Sequence, residues 1–354
     1  MVRCCSCKTM GILVAFVAIF VKVVNPLLDF YLAPPIEVPP RQPYDPDAST
    51  DILDYPGFGF LNPGRQVELN LGLTFILRQS FPRWLVSTLE KYEPKVNFTE
   101  DYSSHNVSIL DARKLSNLTF QDTGFTLLHV DREHVDQVQN WRSQDQLRTF
   151  QENALEPQLR KLYPNATKIV FTYSVVRGGN QLGDQPAAIN APHLDYSQNK
   201  TARQEFHSIH PPSDHAVEHK ILLGTYETEK DEELQVLLGI WKPIIQDNPV
   251  CDLPLAILDA QTFSPQQETV HPIHIDFGAF TFHNLNGAIQ FHPKQQWYYY
   301  SMQTDTEVLV FTQYTPDRHF CNPHGSFINS NCPHDYQSRV SVEMRAAIFG
   351  KKQE

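Results

Sequence analysis

Cysteine is scarce in this 354-residue chain, and charge of one sign is thin. There are six cysteines, and three of them (Cys4, Cys5, Cys7) crowd the first seven positions. That leaves Cys251, Cys321 and Cys332, an odd number, which excludes a complete disulfide framework. Cys321 and Cys332 are spaced to close a small loop, which would leave Cys251 free and buried. Lys and Arg total 29 against 40 Asp and Glu, a net charge of −11, and no run of basic residues interrupts this balance. Nucleic acid is therefore excluded as the main partner. Internal repeats are absent, and no second linker divides the chain. With 41% apolar and 19% charged residues there is ample material for a packed core.

Long hydrophobic runs are also lacking, with one exception. Met10 to Val21 is uncharged and apolar, preceded by Arg3 and Lys8. Twelve residues suit the core of a signal peptide, yet no small-x-small cleavage pattern follows. If Lys22 snorkels, the run extends from residue 10 to 28, nearly a full span. Two readings stay open: a signal anchor with a cytosolic tail of residues 1–9, or a cleaved secretory signal. Both deliver the rest to the secretory lumen, one as a single-pass membrane protein and the other as a secreted one. Cys4, Cys5 and Cys7 are either juxtamembrane palmitoylation sites or unmodified thiols. Five Asn-x-Ser/Thr sequons, at Asn97, Asn106, Asn117, Asn165 and Asn199, mildly favour a glycosylated lumenal surface. Seven prolines between Asn25 and Pro46 predict an extended tether over residues 29–60, with one domain at 61–350.

Within that domain, helical spacing is expected first, at 82–94 and as two helices over 131–163. Short β-branched or aromatic segments follow: "KIVFTYSVV", "LQVLLGIWKPI", "LPLAILD", "GAFTFHNL", "WYYYSM", "EVLVFTQY" and "RVSVEMRAAIF". This predicts a mainly β sandwich or barrel with flanking helices. In the last segment Val340, Val342, Met344, Ala346 and Ile348 share one face, and Arg339, Ser341, Glu343 and Arg345 share the other. The polar face is either a solvated edge, the commoner case, or the wall of a polar cavity.

"APHLDYS" places His193 two residues before Asp195, and His324 follows Asp195 by 129 positions. Two histidines and a carboxylate on one face of an iron ion leave coordination positions open. A keto acid chelating there would carry a second carboxylate in need of a cation. Arg339 and Arg345, 15 and 21 residues after His324, meet that need, and Ser341 could join them. A rival His-x-Asp, His274 and Asp276, leads directly into a strand and reads as a surface turn. Trp241, Trp297 and Tyr298 to Tyr300 read as core or pocket wall, Lys242 as a solvated lysine, Asp252 and Asp259 as turn formers, and His319 and His334 as exposed.

The order His-x-Asp, long gap, His, short gap, Arg resembles the iron and 2-oxoglutarate oxygenases, and the Arg-x5-Arg pair resembles their AlkB-type branch. "IWKPI", "VCDLPLAILDA", "WYYYSMQTDTEVL", "PHGSF" and "SRVSVEMR" resemble, in order, the blocks of the fungal hydroxylase/desaturase family. That family takes in the aspergillic-acid-cluster hydroxylase, the gibberellin desaturase and a cephem methoxylase subunit. The resemblance covers roughly residues 165–350; the N-terminal anchor and tether depart from it. It implies a double-stranded β-helix (jelly roll). It further implies iron(II) on His193, Asp195 and His324, and 2-oxoglutarate on Arg339, Arg345 and Ser341. The implied activity is hydroxylation or desaturation of a small organic substrate. The alternative is a non-catalytic jelly-roll subunit or binding module, which would not require this full set of residues.

Overall fold

The computed structural model describes residues 52–61, 69–70, 102–178, 191–209, 217–276, 281–316, 320–329, 331–333 and 336–352. The apolar run at 10–28, the helix expected at 82–94, Asn97, His319 and His334 lie outside them. Among the described residues, no helix is long and apolar enough to cross a membrane.

Among the described residues, two sheets build the fold. Nine strands form one: β1 (Ile52–Leu61), β2 (Leu69–Asn70), β3 (Tyr102–Asp111), β6 (His193–Leu194), β8 (Leu255–Leu258), β9 (Glu268–Asp276), β10 (Thr281–Ile289), β11 (Trp297–Tyr299) and β13 (His324–Ser326). Their order is β1-β3-β11-β8-β13-β6-β10-β9-β2. The other sheet comprises β4 (Phe125–His129), β5 (Lys168–Gly178), β7 (Glu232–Pro243), β12 (Glu307–Tyr314) and β14 (Val340–Lys351), ordered β4-β12-β7-β14-β5.

Each segment predicted as strand after residue 165 contains a strand among the described residues. Three expectations need correction. Residues 52–60 are strand rather than tether, since β1 pairs antiparallel with β3. Among the described residues, strands β1, β2 and β3 precede the first helix, so helices do not come first. His274 and Asp276 sit on β9, paired along its length with β10, rather than on a surface turn.

Local signals explain the connections. Thr119 caps the short helix α1 (Phe120–Thr123) by accepting from the Asp122 amide, and Gly124 ends it at φ 81°, turning the chain into β4. Two helices follow, α2 (Arg132–Asp136) and α3 (Gln144–Phe150). The second widens through a π-helical turn at Gln151–Leu155 into α4 (Glu156–Leu162). Pro157 has no N–H to donate backwards, and the preceding turn adjusts its bonding.

The five-stranded sheet has one face against this helix. Leu147, Phe150, Leu155 and Leu159 pack on Val236, Leu238 and Ile240 of β7, Val308 and Val310 of β12, and Val342, Met344, Ala346 and Ile348 of β14. Each such side chain contributes roughly 1.5–3 kcal/mol on burial. The opposite face meets the nine-stranded sheet through Trp241, Leu309 and Phe311 against Leu255, Ile257 and Tyr298. The polar face of β14 therefore points between the sheets. It is the wall of an interior space rather than a solvated edge, because β14 is flanked by β7 and β5 and its greasy face is taken by the helix.

Lys242 shares the helix-facing side of β7 and is fully buried, against the expectation of a solvated lysine. Its ammonium donates to the Pro243 carbonyl and lies 4.4 Å from the Trp141 ring centroid. Burial lowers its pKa to about 7. The disulfide pairing also differs from expectation. Cys251 bonds Cys332, with Cα atoms 5.5 Å apart, and Cys321 is the free, buried thiol. The segments before β8 and after β13 run side by side and bring the sequence-distant pair together.

Candidate metal centre

Strand alternation builds the site. His193 and Asp195 are two residues apart and face the space between the sheets, while Leu194 turns the other way into a cluster with Ala256 and Leu258. His324 is the direct cross-strand partner of His193 through the β13–β6 pairing. Their ring centroids are 4.7 Å apart. Gly325 makes the approach possible: a Cβ there would stand 3.2 Å from the Ala191 carbonyl oxygen.

The potential ligand atoms of His193, Asp195 and His324 all lie within 4.8 Å of one another. His193 Nε2 is 3.5 Å from Asp195 Oδ1, and His324 Nε2 is 3.8 Å from Asp195 Oδ2. Each ring's Nδ1 meets a backbone carbonyl: His193 with Ala191 at 2.8 Å, His324 with Asn322 at 3.3 Å. A carbonyl only accepts, so Nδ1 carries the proton and Nε2 keeps a lone pair aimed at the shared point.

The carboxylate is held as firmly. Asp195 Oδ2 accepts from Arg345 Nη2 at 2.9 Å and from Gln313 Nε2 at 2.6 Å. Burial works to raise the Asp195 pKa, but Arg345 and the two histidines outweigh it and hold the group well below the usual carboxylate range. Burial pulls His324 down to about 4, so its ring is neutral. Neutral imidazoles and an ionised carboxylate are the forms that bind a dication.

Supports further out were not apparent from the motifs. Asn322 is fully buried: its amide donates to the Thr123 and Leu258 carbonyls, and its oxygen accepts from the Thr312 amide. It ties both sheets together two residues before His324. Phe311 lies tilted against His324 with ring centroids 4.7 Å apart, leaning over Gly239, where a Cβ would stand 2.5 Å from the Phe311 ring. The alternation of "EVLVFTQY" was the available signal, since it aligns Phe311 and Gln313 on the face that looks between the sheets.

The two arginines separate. Arg345 is spent on neighbours: Nη2 on Asp195, Nη1 on Glu218 Oε2 at 2.9 Å and on the Tyr196 hydroxyl at 2.7 Å. Glu343 is held by Arg177 from the adjacent strand, whose Nε lies 2.8 Å from its carboxylate. Arg339 is buried and donates Nη1 to the Leu253 carbonyl at 2.7 Å, with its guanidinium 5.2 Å from the Trp241 ring centroid. Its Nε, the Ser341 Oγ and the Trp241 Nε1 are buried without a hydrogen-bond partner. Burial lowers the Arg339 pKa to about 10.

The rival pair lies elsewhere. Ala288 of β10 sits between His193 of β6 and Thr269 of β9. His274 is five positions further along β9, opposite His283, which is about 17 Å along the strand.

Residues 78–349 match the family described as the oxidoreductase/YMDC permease-like domain. The chain belongs to that family. It is 30% identical over 118 residues to the Fe(II)/2-oxoglutarate-dependent dioxygenase nvfI of Aspergillus novofumigatus, a match covering 32% of this chain and 40% of the relative. It is 31% identical over 122 residues to aspirochlorine biosynthesis protein N of Aspergillus oryzae, covering 33% and 49%. The chain thus spans under half the length of these curated relatives. Among solved structures, the iron and alpha-ketoglutarate-dependent endoperoxidase NvfI aligns at TM-score 0.56 and 19% identity over 86% of this chain and all of that one. The same protein in a different conformation gives 0.57 at 19% identity, again over 86% and 100%. The two-sheet, mainly β fold is shared with that protein.

Proposed function

We propose that this protein is an iron(II)- and 2-oxoglutarate-dependent oxygenase that hydroxylates or desaturates a small organic molecule on a jelly-roll domain. The observation that carries the reading is the convergence of His193, Asp195 and His324, with both Nε2 lone pairs freed by Nδ1–carbonyl bonds. Two imidazoles and one carboxylate suit iron(II) and leave room for a chelating cosubstrate.

The residues also fit 2-oxoglutarate. Arg339 Nε, Ser341 Oγ and Trp241 Nε1 are buried donors without partners on neighbouring positions of one sheet face. Buried donors are nearly always satisfied, so a set of three left open marks a place for an acceptor. Arg339 supplies the cation for the distal carboxylate, and Ser341 and Trp241 supply further donors. Arg345, already shared between two carboxylates, supports Asp195 rather than the cosubstrate. Iron and 2-oxoglutarate together with dioxygen supply the oxidation of the substrate, 2-oxoglutarate leaving as succinate and carbon dioxide.

The binding-module alternative is less well supported, since a module has no use for both a dication site and a set of open anion donors. The deciding measurement is bound iron together with succinate release from 2-oxoglutarate. His324→Ala should abolish both. Succinate release that persists in His324→Ala would refute the assignment.

A lumenal location, anchored or secreted, rests on the apolar run at 10–28 and on two further facts. Asn106, Asn117, Asn165 and Asn199 are exposed, and the Cys251–Cys332 bond suits an oxidising compartment. Endoglycosidase digestion and carbonate extraction test it; an unglycosylated cytosolic protein would refute it.

A further inference from the structure

The helix α5 (Val217–Leu222) supplies none of the triad's ligands, yet two consecutive residues on it reach Asp195, one through Arg345 and one through Asn284. Glu218 Oε2 lies 2.9 Å from Arg345 Nη1, and the same guanidinium holds Asp195 Oδ2 through Nη2 at 2.9 Å. The next residue, His219, meets Asn284 Oδ1 at 3.1 Å, and Asn284 Nδ2 donates to the Asp195 backbone carbonyl at 2.7 Å. Side chain and backbone of the central carboxylate are thereby fixed by one turn of helix.

The guanidinium between them is held in every direction. It sits over the Tyr173 ring at 4.4 Å and the Tyr196 ring at 5.1 Å, and its Nη1 also donates to the Tyr196 hydroxyl. Glu218 is buried as well, and its other oxygen accepts from Thr172 Oγ1 at 2.8 Å. Arg345 therefore bridges two carboxylates of equal charge. With one of them alone it would form a closed pair, and the carboxylate would have little charge left for a dication. With both, the group Asp195–Arg345–Glu218 keeps one net negative charge beside the two histidines.

We propose that Glu218 is a positioning residue that sets the metal affinity of the centre by sharing the charge of Arg345, so that Asp195 remains an effective anionic ligand. The inference rests on the reading of His193, Asp195 and His324 as a metal site and assigns that site an electrostatic control outside its ligands. Glu218→Gln has nearly the same shape: its amide oxygen can still accept from Arg345 and its amide NH2 can donate to the Thr172 hydroxyl, but it removes the shared charge.

The test is a titration of the metal-free full chain with Co(II), read by visible absorption and by equilibrium dialysis. The wild type should bind one ion and His324→Ala should not; a wild type that binds none would overturn the metal-site reading itself. Glu218→Gln should keep the wild-type melting temperature while binding Co(II) roughly 10–100-fold more weakly, the range for loss of a ligand's supporting partner. Its visible bands should shift as the carboxylate is drawn to Arg345. Glu218→Asp, which restores the charge, should recover most of the affinity. Equal Co(II) affinity and spectrum in wild type and Glu218→Gln would overturn the inference while leaving the metal site intact. If Glu218→Gln does not fold, Thr172→Val decides the matter: a several-fold weaker Co(II) affinity supports the role, and an unchanged one overturns it.

Discussion

Replacing Arg339 by Ala should raise the 2-oxoglutarate concentration needed for half-maximal succinate release by two orders of magnitude or more. Burial lowers the Arg339 pKa from the usual arginine range to about 10, with Arg177 adding to the fall while Glu343 and Asp252 pull the other way. At 1.36 kcal/mol per pH unit, that corresponds to roughly 3 kcal/mol of desolvation left unrecovered by protein partners. A carboxylate arriving at the open Nε recovers it. Removing one member of a buried charge pair costs about 3–5 kcal/mol, and each 1.4 kcal/mol is about tenfold in affinity. Folding should suffer little. The Leu253 carbonyl loses its donor, at a cost of about 1–3 kcal/mol, but an uncompensated buried charge disappears with it. The assay is succinate release against 2-oxoglutarate, paired with the thermal shift that 2-oxoglutarate induces. Arg345→Ala is the control: Asp195 loses the donor that orients it, so metal affinity and maximal rate should change, while the 2-oxoglutarate requirement measured at saturating iron should not. An unchanged concentration dependence in Arg339→Ala, or a shift confined to Arg345→Ala, would refute the assignment of the two arginines.

Two further outcomes follow from the scaffold. Cys332→Ser removes a bridge between residues 81 positions apart and should cost about 2–4 kcal/mol of stability. Because the Leu253 carbonyl that holds Arg339 lies two residues from Cys251, the 2-oxoglutarate requirement should rise as well; melting curves of wild type that do not respond to dithiothreitol would contradict the bond. Lys242 has a folded-state pKa of about 7 against 10.5 when free, so the unfolded chain binds more protons between those values. Stability should therefore climb from pH 7 towards 10.5, by up to on the order of 5 kcal/mol from this group, with no slope from it below about pH 7. Lys242→Met should be as stable or more so at pH 7 and should lack that gain in urea unfolding; a parallel rise in both proteins would exclude Lys242 as its source.

Local pattern alone determined a good deal about this protein. Alternation in "RVSVEMRAAIF" sorted β14 into an apolar and a polar face, because a strand's side chains have a period of two whatever it packs against. The His-x-Asp spacing of His193 and Asp195 marked them as ligands able to share one ion, and the choice of His324 needed only the residues that follow it. Tertiary structure decided the rest. Which face of β14 looks inward depends on the helix covering Val342, Met344 and Ala346, a partner that the strand does not encode. Cys251 rather than Cys321 bonds Cys332 because two loops far apart in sequence run side by side. Lys242 is buried because Trp141 and Phe150 close over it. Arg339 and Arg345 are equivalent by period on the same face, and only their surroundings divide them. Asp195 and Glu218, brought from a turn and a helix, consume the charge of Arg345, while Arg339 is left with a donor that no described residue satisfies.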